Sequence, residues 1–500
     1  MPLPFGPKIP GGEKMEETLR DSSLKIRMEE NTPYLKGGRD FIDDDKIWSQ
    51  INGAPEPERK RVEEILEKSL SLQRLDPTET ATLIKVTDPD LFGEMKRTAL
   101  KVKEKVYGHR IVTFAPLYVS NLCVNNCVYC GYRRENDSID RHTLTDEELV
   151  REIEALVEKG HKRLVMVYGE HPSSDVRYIA HTIEKAYSVK RPPSGEIRRA
   201  NVNAAPLGVE DYRLLKKVGI GTYQIFQETY HHETYSKVHP KGTLKGNYQW
   251  RLYGLHRAQE AGVDDVAPGV LFGLYDWRFE VMGLLYHTID LEEHFGGVGP
   301  HTLSFPRLEP AITTPFVSQS PYLVSDDQFE RVITVLRLSV PYTGMILTAR
   351  ESPKVRERML SLGITQLDFG SNIGVGSYSP NVRDPRKEQF TLGDNRTLDE
   401  GIRWLADQGF ITSFCTADYR CGRTGNCFMR IAKKGNIHSL CIPNAFSTFS
   451  EYLRDYGSPE TRRSGEALMA QALQGMDKES RSLIDGMLER IEKGERDVYI

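Results

Sequence analysis

The stretch HRIVTFAPLYVS (109–120) runs without interruption into NLCVNNCVYCGY (121–132), and the reading of that junction decides the fold. The first half is an apolar, β-branched run of strand type. The second sets Cys123, Cys127 and Cys130 at CxxxCxxC spacing on one short loop. Three thiolates so placed grip three irons of a [4Fe–4S] cluster, whose full protein ligation needs four, and leave one iron open. A zinc site needs a fourth nearby Cys or His. His109 and His142 are the nearest, and neither has finger-like spacing.

Working outward from the loop, strand-like and helix-like segments alternate. RLVMVYG, RRANVNA, TYQIFQET, VAPGVLFGL, HTLSFPRL, MILTARE and TQLDFGSN follow the first strand, each pair separated by enough chain for a crossover helix. TDEELVREIEALVEKG is one such helix, with Thr145 and Glu148 set as a capping box and Gly160 as its stop. Eight strands in regular βα order between residues 109 and 372 predict an α/β fold, a parallel (βα)8 barrel of TIM type. Residues 1–44 are rich in Gly, Pro and charge and are expected to be loosely packed. Residues 45–108 read as a helical extension. Residues 373–455 depart from the βα rhythm and carry a second cysteine group, and 456–500 read as a helical tail.

The chain has seven cysteines, and none lies between Cys130 and Cys415. A disulfide framework spreads its cysteines, so two metal sites in a reducing compartment are expected instead. Hydrophobic residues at 39% and charged residues at 28% are ordinary for a soluble globular protein. A net charge of −4 gives no nucleic-acid or membrane footprint. No apolar run approaches the roughly 20 residues that span a bilayer. MPLPFGPKIPGGEKMEE lacks the apolar core of a signal peptide. The expectation is a cytoplasmic protein with no nucleic-acid or membrane partner.

The cysteine loop at the end of a first barrel strand, with aromatic Tyr129 before the last cysteine, resembles the signature of the radical S-adenosylmethionine (SAM) enzymes. The resemblance implies that the open iron chelates SAM and that the reduced cluster cleaves it to a 5′-deoxyadenosyl radical. YGEHP (168–172) resembles the family's Gly-Glu motif, which puts Gly169 and Glu170 at the SAM amino group. Asn201 and Asn203 of NVN are candidates for the SAM ribose or carboxylate, and Arg257 for that carboxylate. APGVLFG, ending at Gly273, suits the adenine face. All but Arg257 fall at strand ends, where barrel chemistry gathers; a lone Glu or Asn there serves structure as often as a ligand.

From about residue 45 to 455 the chain resembles the HydG-type maturases of [FeFe]-hydrogenase, which are tyrosine lyases. RLDPTETATLI, GIGTYQIFQETYHHETYSKVHPKG, GVGPHTLSFPR and GRTGNCFM carry the likeness. QETYH and HPKG are shared with the thiamine-pathway 2-iminoacetate synthase. The resemblance implies cleavage of L-tyrosine between Cα and Cβ to a p-cresol-type fragment and dehydroglycine. An amino-acid carboxylate calls for a bidentate guanidinium, and Arg350 is the candidate. Its structural alternative is a salt bridge to Glu351. Tyr118 and Ser371 are candidates for positioning the phenol or amine, with core packing the alternative for Tyr118. Gln227 and Glu228 are candidates for contact with SAM or substrate. Ferredoxin or flavodoxin as reductant and other hydrogenase-maturation proteins as partners also follow from the likeness. So does a second iron–sulfur cluster that turns dehydroglycine into CO and cyanide. His301, read as lying at the end of the sixth strand beside Arg307, would help hold its special iron.

The family holds that cluster with cysteines spaced Cx2Cx22C. Here Cys415 and Cys441 take the outer places and Asp418 the middle one. A carboxylate is a harder ligand than a thiolate and suits iron–sulfur chemistry less well. Cys421 lies about one helical turn on, and Cys427 follows. Tyr168 and Asn372 also stand where the family has cysteines. Three readings stay open: a second cluster using Asp418 or Cys421 with CO and cyanide still made, an altered or lost cluster in an enzyme that stops at dehydroglycine or uses another amino acid, or a structural or zinc site. A non-enzymatic iron–sulfur scaffold or carrier is the alternative for the whole chain.

Overall fold

The computed structural model describes residues 24–500. Its centre is a parallel barrel of eight strands: β1 (Arg110–Ser120), β2 (Arg163–Tyr168), β3 (Arg199–Asn203), β4 (Tyr223–Glu228), β5 (Val266–Val270), β6 (Thr302–Ser304), β7 (Gly344–Leu347) and β8 (Gln366–Asp368). Each pairs with the next, and β8 closes onto β1 through Val112↔Gln366 and Phe114↔Asp368. A ninth strand, β9 (Ile411–Ser413), adds to the foot of β1, with Arg110 opposite Ile411. Helices cover the outside, which is why the strands read as near-continuous apolar runs. The capping box at Thr145 and Glu148 forms on helix Asp146–Val157.

Packing outside the barrel follows from where each segment leaves it. The helices Asp44–Gly53, Arg59–Leu70, Pro77–Lys85 and Pro89–Tyr107 share one apolar core with the barrel helices through Ile47, Ile65, Met95, Phe329 and Leu336. The expectation of loose packing for residues 1–44 falls partly on residues 1–23, outside the described residues. The rest is held: Tyr34 and Ile42 are buried, and Tyr34 stacks on Tyr253. Two aromatic rings supply enough apolar area to fix an otherwise polar segment. Helices Pro459–Gln474 and Lys478–Glu492 pack through Leu468, Ile484 and Met487.

The segment after β8 divides differently from the sequence reading. Residues 373–392 fold back over the carboxyl mouth of the barrel rather than joining the second cysteine group. Gly131 N donates to the Gln389 carbonyl at 3.2 Å, and Tyr132 Oη donates to the carbonyls of Ile373 and Lys387 at 3.1 and 2.9 Å. The second group begins beyond β9, at the opposite end.

Candidate active site

The cavity at the carboxyl mouth, about 200 Å³, is walled by the ends of seven strands, by Leu271 just after β5, and by the loops that follow them. Cys123, Cys127 and Cys130 all line it. The loop is seated by close backbone approach. Gly169 N donates to Ser120 O at 2.9 Å, Val124 N to Glu170 O at 2.8 Å, and a Cβ on Gly169 would lie 2.1 Å from Leu122 O. Only glycine permits that contact. Burial pushes the Cys127 thiol up to about 12 and raises Cys123 too. Such thiols ionise when a cation takes the place of the proton, so iron binding here releases protons. Gln389 Nε2 lies 3.5 Å from Cys130 Sγ. Three thiols on one loop, facing one cavity with a donor already aimed at a sulfur, fit a [4Fe–4S] cluster with an open iron.

The residues expected at SAM separate into two sets. Tyr129, Gly169, Glu170, Asn203 and Glu228 line the cavity. Glu170 is bound by Asn125 Nδ2 and by Arg251, a residue sequence reading overlooked in favour of Arg257. Glu228 sits at φ +71° where the β4–β5 register shifts, and it pairs with Lys245 Nζ at 2.6 Å. A glutamate held in the left-handed region at a bulge is a strained position of the kind that clusters at functional sites. Asn201, Arg257 and Gly273 do not line the cavity. Asn201 Oδ1 accepts from Thr222 N and Arg199 Nε, one layer deeper in the barrel. Arg257 is fully buried, its guanidinium taken by the Leu207 and Trp250 carbonyls and by Asn31. The helix that carries it turns that face beneath the N-terminal segment, so the carboxylate role expected of it has no access. Gly273 packs on Leu308, and its carbonyl accepts from Ser320 Oγ at 2.5 Å; Leu271 reaches the cavity instead.

Around the substrate half, Arg350 and Tyr118 line the cavity and Ser371 does not. The Arg350 guanidinium lies 3.3 Å from the centre of the Phe390 ring and makes no hydrogen bond or ion pair with the described residues. The salt bridge to Glu351 does not form, because Glu351 pairs with Arg307. Burial lowers Arg350 below its ordinary range, with Tyr118 and Glu309 pulling it back. Tyr118 Oη donates to Gln389 Oε1 at 3.1 Å. Ser371 Oγ donates to Asp368 Oδ2 at 2.5 Å, so it holds a cavity carboxylate rather than facing the cavity. Gln227 is buried and does not line it. Tyr168 and Asn372 are absorbed into hydrogen bonds, to Thr182 at 2.7 Å and to the Ser377 carbonyl at 2.9 Å.

At the amino mouth the barrel shows a different chemistry. Arg110, Arg163 and Arg199 are the first residues of β1, β2 and β3. Cys441 Sγ lies 3.4 Å from Arg110 Nη2 and 3.7 Å from Asp418 Oδ2. Asp418 accepts from Arg423 Nε at 2.8 Å. Cys415, at φ +48°, follows β9 and acts electrostatically on both Arg110 and Cys441. Cys421 is exposed, its Sγ 3.7 Å from the Ile500 carbonyl, and Cys427 is half-buried on helix Gly425–Ala432. Of the three residues weighed for the missing ligand, Asp418, Cys421 and Cys427, only Asp418 is placed against Cys441. His301 precedes β6 rather than ending it, 3.3 Å from Asp265 and against Phe428. The run HTLSFPRL spans the whole barrel wall, which is why its histidine and Arg307 end up at opposite mouths. Burial lowers His301 to about 4 and leaves the imidazole neutral, although Asp265 opposes the shift. Arg110 and Arg163 each keep two buried nitrogens without a partner. Orphaned guanidinium donors beside two thiols and a carboxylate fit an anionic metal centre.

Comparison with known proteins agrees with this geometry. The radical SAM superfamily is matched over residues 117–281, and the biotin and thiamin synthesis associated domain over 304–411. The chain is 30% identical over 372 residues to 2-iminoacetate synthase of Escherichia coli, across 74% of this chain and 92% of that one. A crystal structure of HydG, a maturase of the [FeFe]-hydrogenase, superposes with a TM-score of 0.88 at 49% identity, covering 92% of this chain and all of that one. HydG from Carboxydothermus hydrogenoformans gives 0.76 at 37% identity, over 93% and 99%. No helix among the described residues is long and apolar enough to cross a membrane. The chain belongs to the radical SAM enzymes, in the group of carbon–carbon lyases that holds HydG and 2-iminoacetate synthase.

Proposed function

We propose that this enzyme cleaves L-tyrosine between Cα and Cβ, giving a p-cresol-type fragment and dehydroglycine. The observation that carries the reading is Arg350: a guanidinium over the Phe390 ring, without a hydrogen bond or ion pair among the described residues, in the cavity that also holds the three cysteines. A buried guanidinium without a partner is stabilised by a planar anion, and an amino-acid carboxylate is one. Cys123, Cys127 and Cys130 would hold a [4Fe–4S] cluster which, with SAM bound and a ferredoxin or flavodoxin as reductant, would supply a 5′-deoxyadenosyl radical. The chain does the rest by position. Glu170, Asn203 and Glu228 orient SAM, Tyr118 meets the aromatic end of the substrate, and the 373–392 segment keeps water out of the mouth. A hydrogen atom would pass from the substrate amino nitrogen to that radical, the Cα–Cβ bond would then break to dehydroglycine and a 4-hydroxybenzyl radical, and one electron from the reductant with a proton would complete p-cresol.

Similarity to HydG over nearly the full chain supports a continuation to CO and cyanide at a second iron–sulfur centre held by Cys415, Asp418 and Cys441, with His301 near, in hydrogenase maturation. Asp418 favours a second reading, in which the enzyme releases dehydroglycine as 2-iminoacetate synthase does. The carboxylate is already engaged by Arg423 and is a harder ligand than the thiolate it replaces. Anaerobic turnover with SAM, dithionite and L-tyrosine tests both. p-Cresol with CO supports the first continuation, and p-cresol with glyoxylate, the hydrolysis product of dehydroglycine, supports the second. No p-cresol contradicts the cleavage itself.

A further inference from the structure

The charged side chains of the carboxyl-mouth cavity are almost all spoken for. Glu170 is paired with Arg251, Glu228 with Lys245, and Asp368 accepts from Ala349 N and Ser371 Oγ. Two remain without a hydrogen bond or ion pair among the described residues: Arg350 and Glu309. They carry opposite charge and act electrostatically on each other, yet are too far apart to form a salt bridge. A cavity that presents one free cation and one free anion, with its other charges paired or hydrogen-bonded, matches a zwitterion. An α-amino acid is a zwitterion.

We infer that Glu309 is a catalytic residue that receives the substrate's ammonium group opposite Arg350 and takes a proton from it before the hydrogen atom is removed. This rests on the amino-acid lyase reading above. The step is a proton transfer only: the Glu309 carboxylate and R–NH3⁺ become the carboxylic acid and R–NH2, with no electron moved. It prepares the amine, because an N–H hydrogen atom leaves a neutral amine far more readily than an ammonium. Glu309 is fixed for the task. It follows β6 in PRLEP, between Leu308, which packs on Gly273, and Pro310, whose carbonyl accepts from Thr391 N at 2.8 Å. The nearest cation in sequence, Arg307, is occupied by Glu351 and Asp326 and leaves Glu309 free. Burial, with Glu351 adding to it, raises the Glu309 carboxyl to about 7. That matches a base that must accept and return a proton near neutrality.

The test is E309Q in the reconstituted enzyme, read by the pH profile of 5′-deoxyadenosine formation with L-tyrosine. At pH 7 the variant is expected to lose roughly a hundredfold in rate. It should recover only in the alkaline range where the α-ammonium of a free amino acid, beside a carboxylate rather than an amide, deprotonates unaided. E309D should restore part of the neutral-pH rate. A loss equal at every pH, or none, overturns the assignment. Calorimetry separates binding from turnover. E309Q should weaken L-tyrosine and leave the amine-free analogue 3-(4-hydroxyphenyl)propanoate unchanged. Equal changes for both ligands overturn the assignment whether or not turnover is seen. Absence of 5′-deoxyadenosine from the unmutated enzyme with any amino acid, while that binding contrast holds, overturns the lyase reading alone.

Discussion

At the carboxyl mouth of the barrel three cysteines stand on one loop, between β1 and the first crossover helix. At the amino mouth Cys415 and Cys441 come from two separate elements, the loop after β9 and helix His438–Asp455, and Asp418 Oδ2 lies 3.7 Å from Cys441 Sγ. The surrounding charge differs as well. The upper cavity neutralises its carboxylates one by one and leaves Arg350 and Glu309 for a ligand. The lower one gathers three strand-leading arginines, two with unpartnered nitrogens, around the thiols. The upper site has the charge pattern proposed above for an amino-acid substrate beside a cluster, and the lower one that of a site suited to an anionic inorganic centre. The barrel wall fixes both because a strand's two ends face opposite mouths.

The largest test of this contrast removes the upper ligands. The Cys123→Ala/Cys127→Ala/Cys130→Ala variant is expected to lose about four irons per chain and all 5′-deoxyadenosine formation. Iron and sulfide analysis of what remains then reports the lower site by itself. Next comes Arg350. Replacing it with alanine should lower kcat/KM for L-tyrosine by about 3 kcal/mol, a factor of roughly 100, by removing one partner of a buried charge pair. Arg350→Lys should recover little of that, because an ammonium lacks the planar fork. An unchanged kcat/KM would move the carboxylate site elsewhere.

Smaller effects probe the lower mouth. In the triple-alanine background, Asp418→Cys should increase the iron retained and Asp418→Ala should reduce it, since thiolate is the softer ligand. Iron content indifferent to both changes would remove Asp418 from the site. The smallest effect is predicted for Cys421→Ala, which faces solvent near Ile500. Its iron content and cluster spectrum should match those of the parent, and lost iron would show that Cys421 rather than Asp418 is the ligand.

Most of the barrel was legible because its strands are buried on both faces and its turns carry their own chemistry. All eight β-type runs became barrel strands. The cluster loop was legible for the same reason: its ligands are contiguous. Residues brought together by folding were not. Arg251 and Arg257 lie on neighbouring short helices, Tyr248–Leu252 and Gly254–Glu260, and the packing of Tyr34 and Asn31 decides which is covered. Glu309 carried no motif. Its interest comes from what its neighbours leave unpaired, which no spacing encodes. His301 was placed at the wrong end of β6, since a short strand of three residues leaves little periodicity to mark its start.

The upper mouth is proposed above as a radical lyase site for an aromatic amino acid. The most direct measurement is product analysis of the anaerobically reconstituted enzyme with SAM, dithionite and L-tyrosine. The structure predicts 5′-deoxyadenosine and p-cresol in matching amounts, both abolished in the Cys123/Cys127/Cys130 triple variant. 5′-Deoxyadenosine that does not rise with L-tyrosine or any other aromatic amino acid, and no p-cresol, would contradict it.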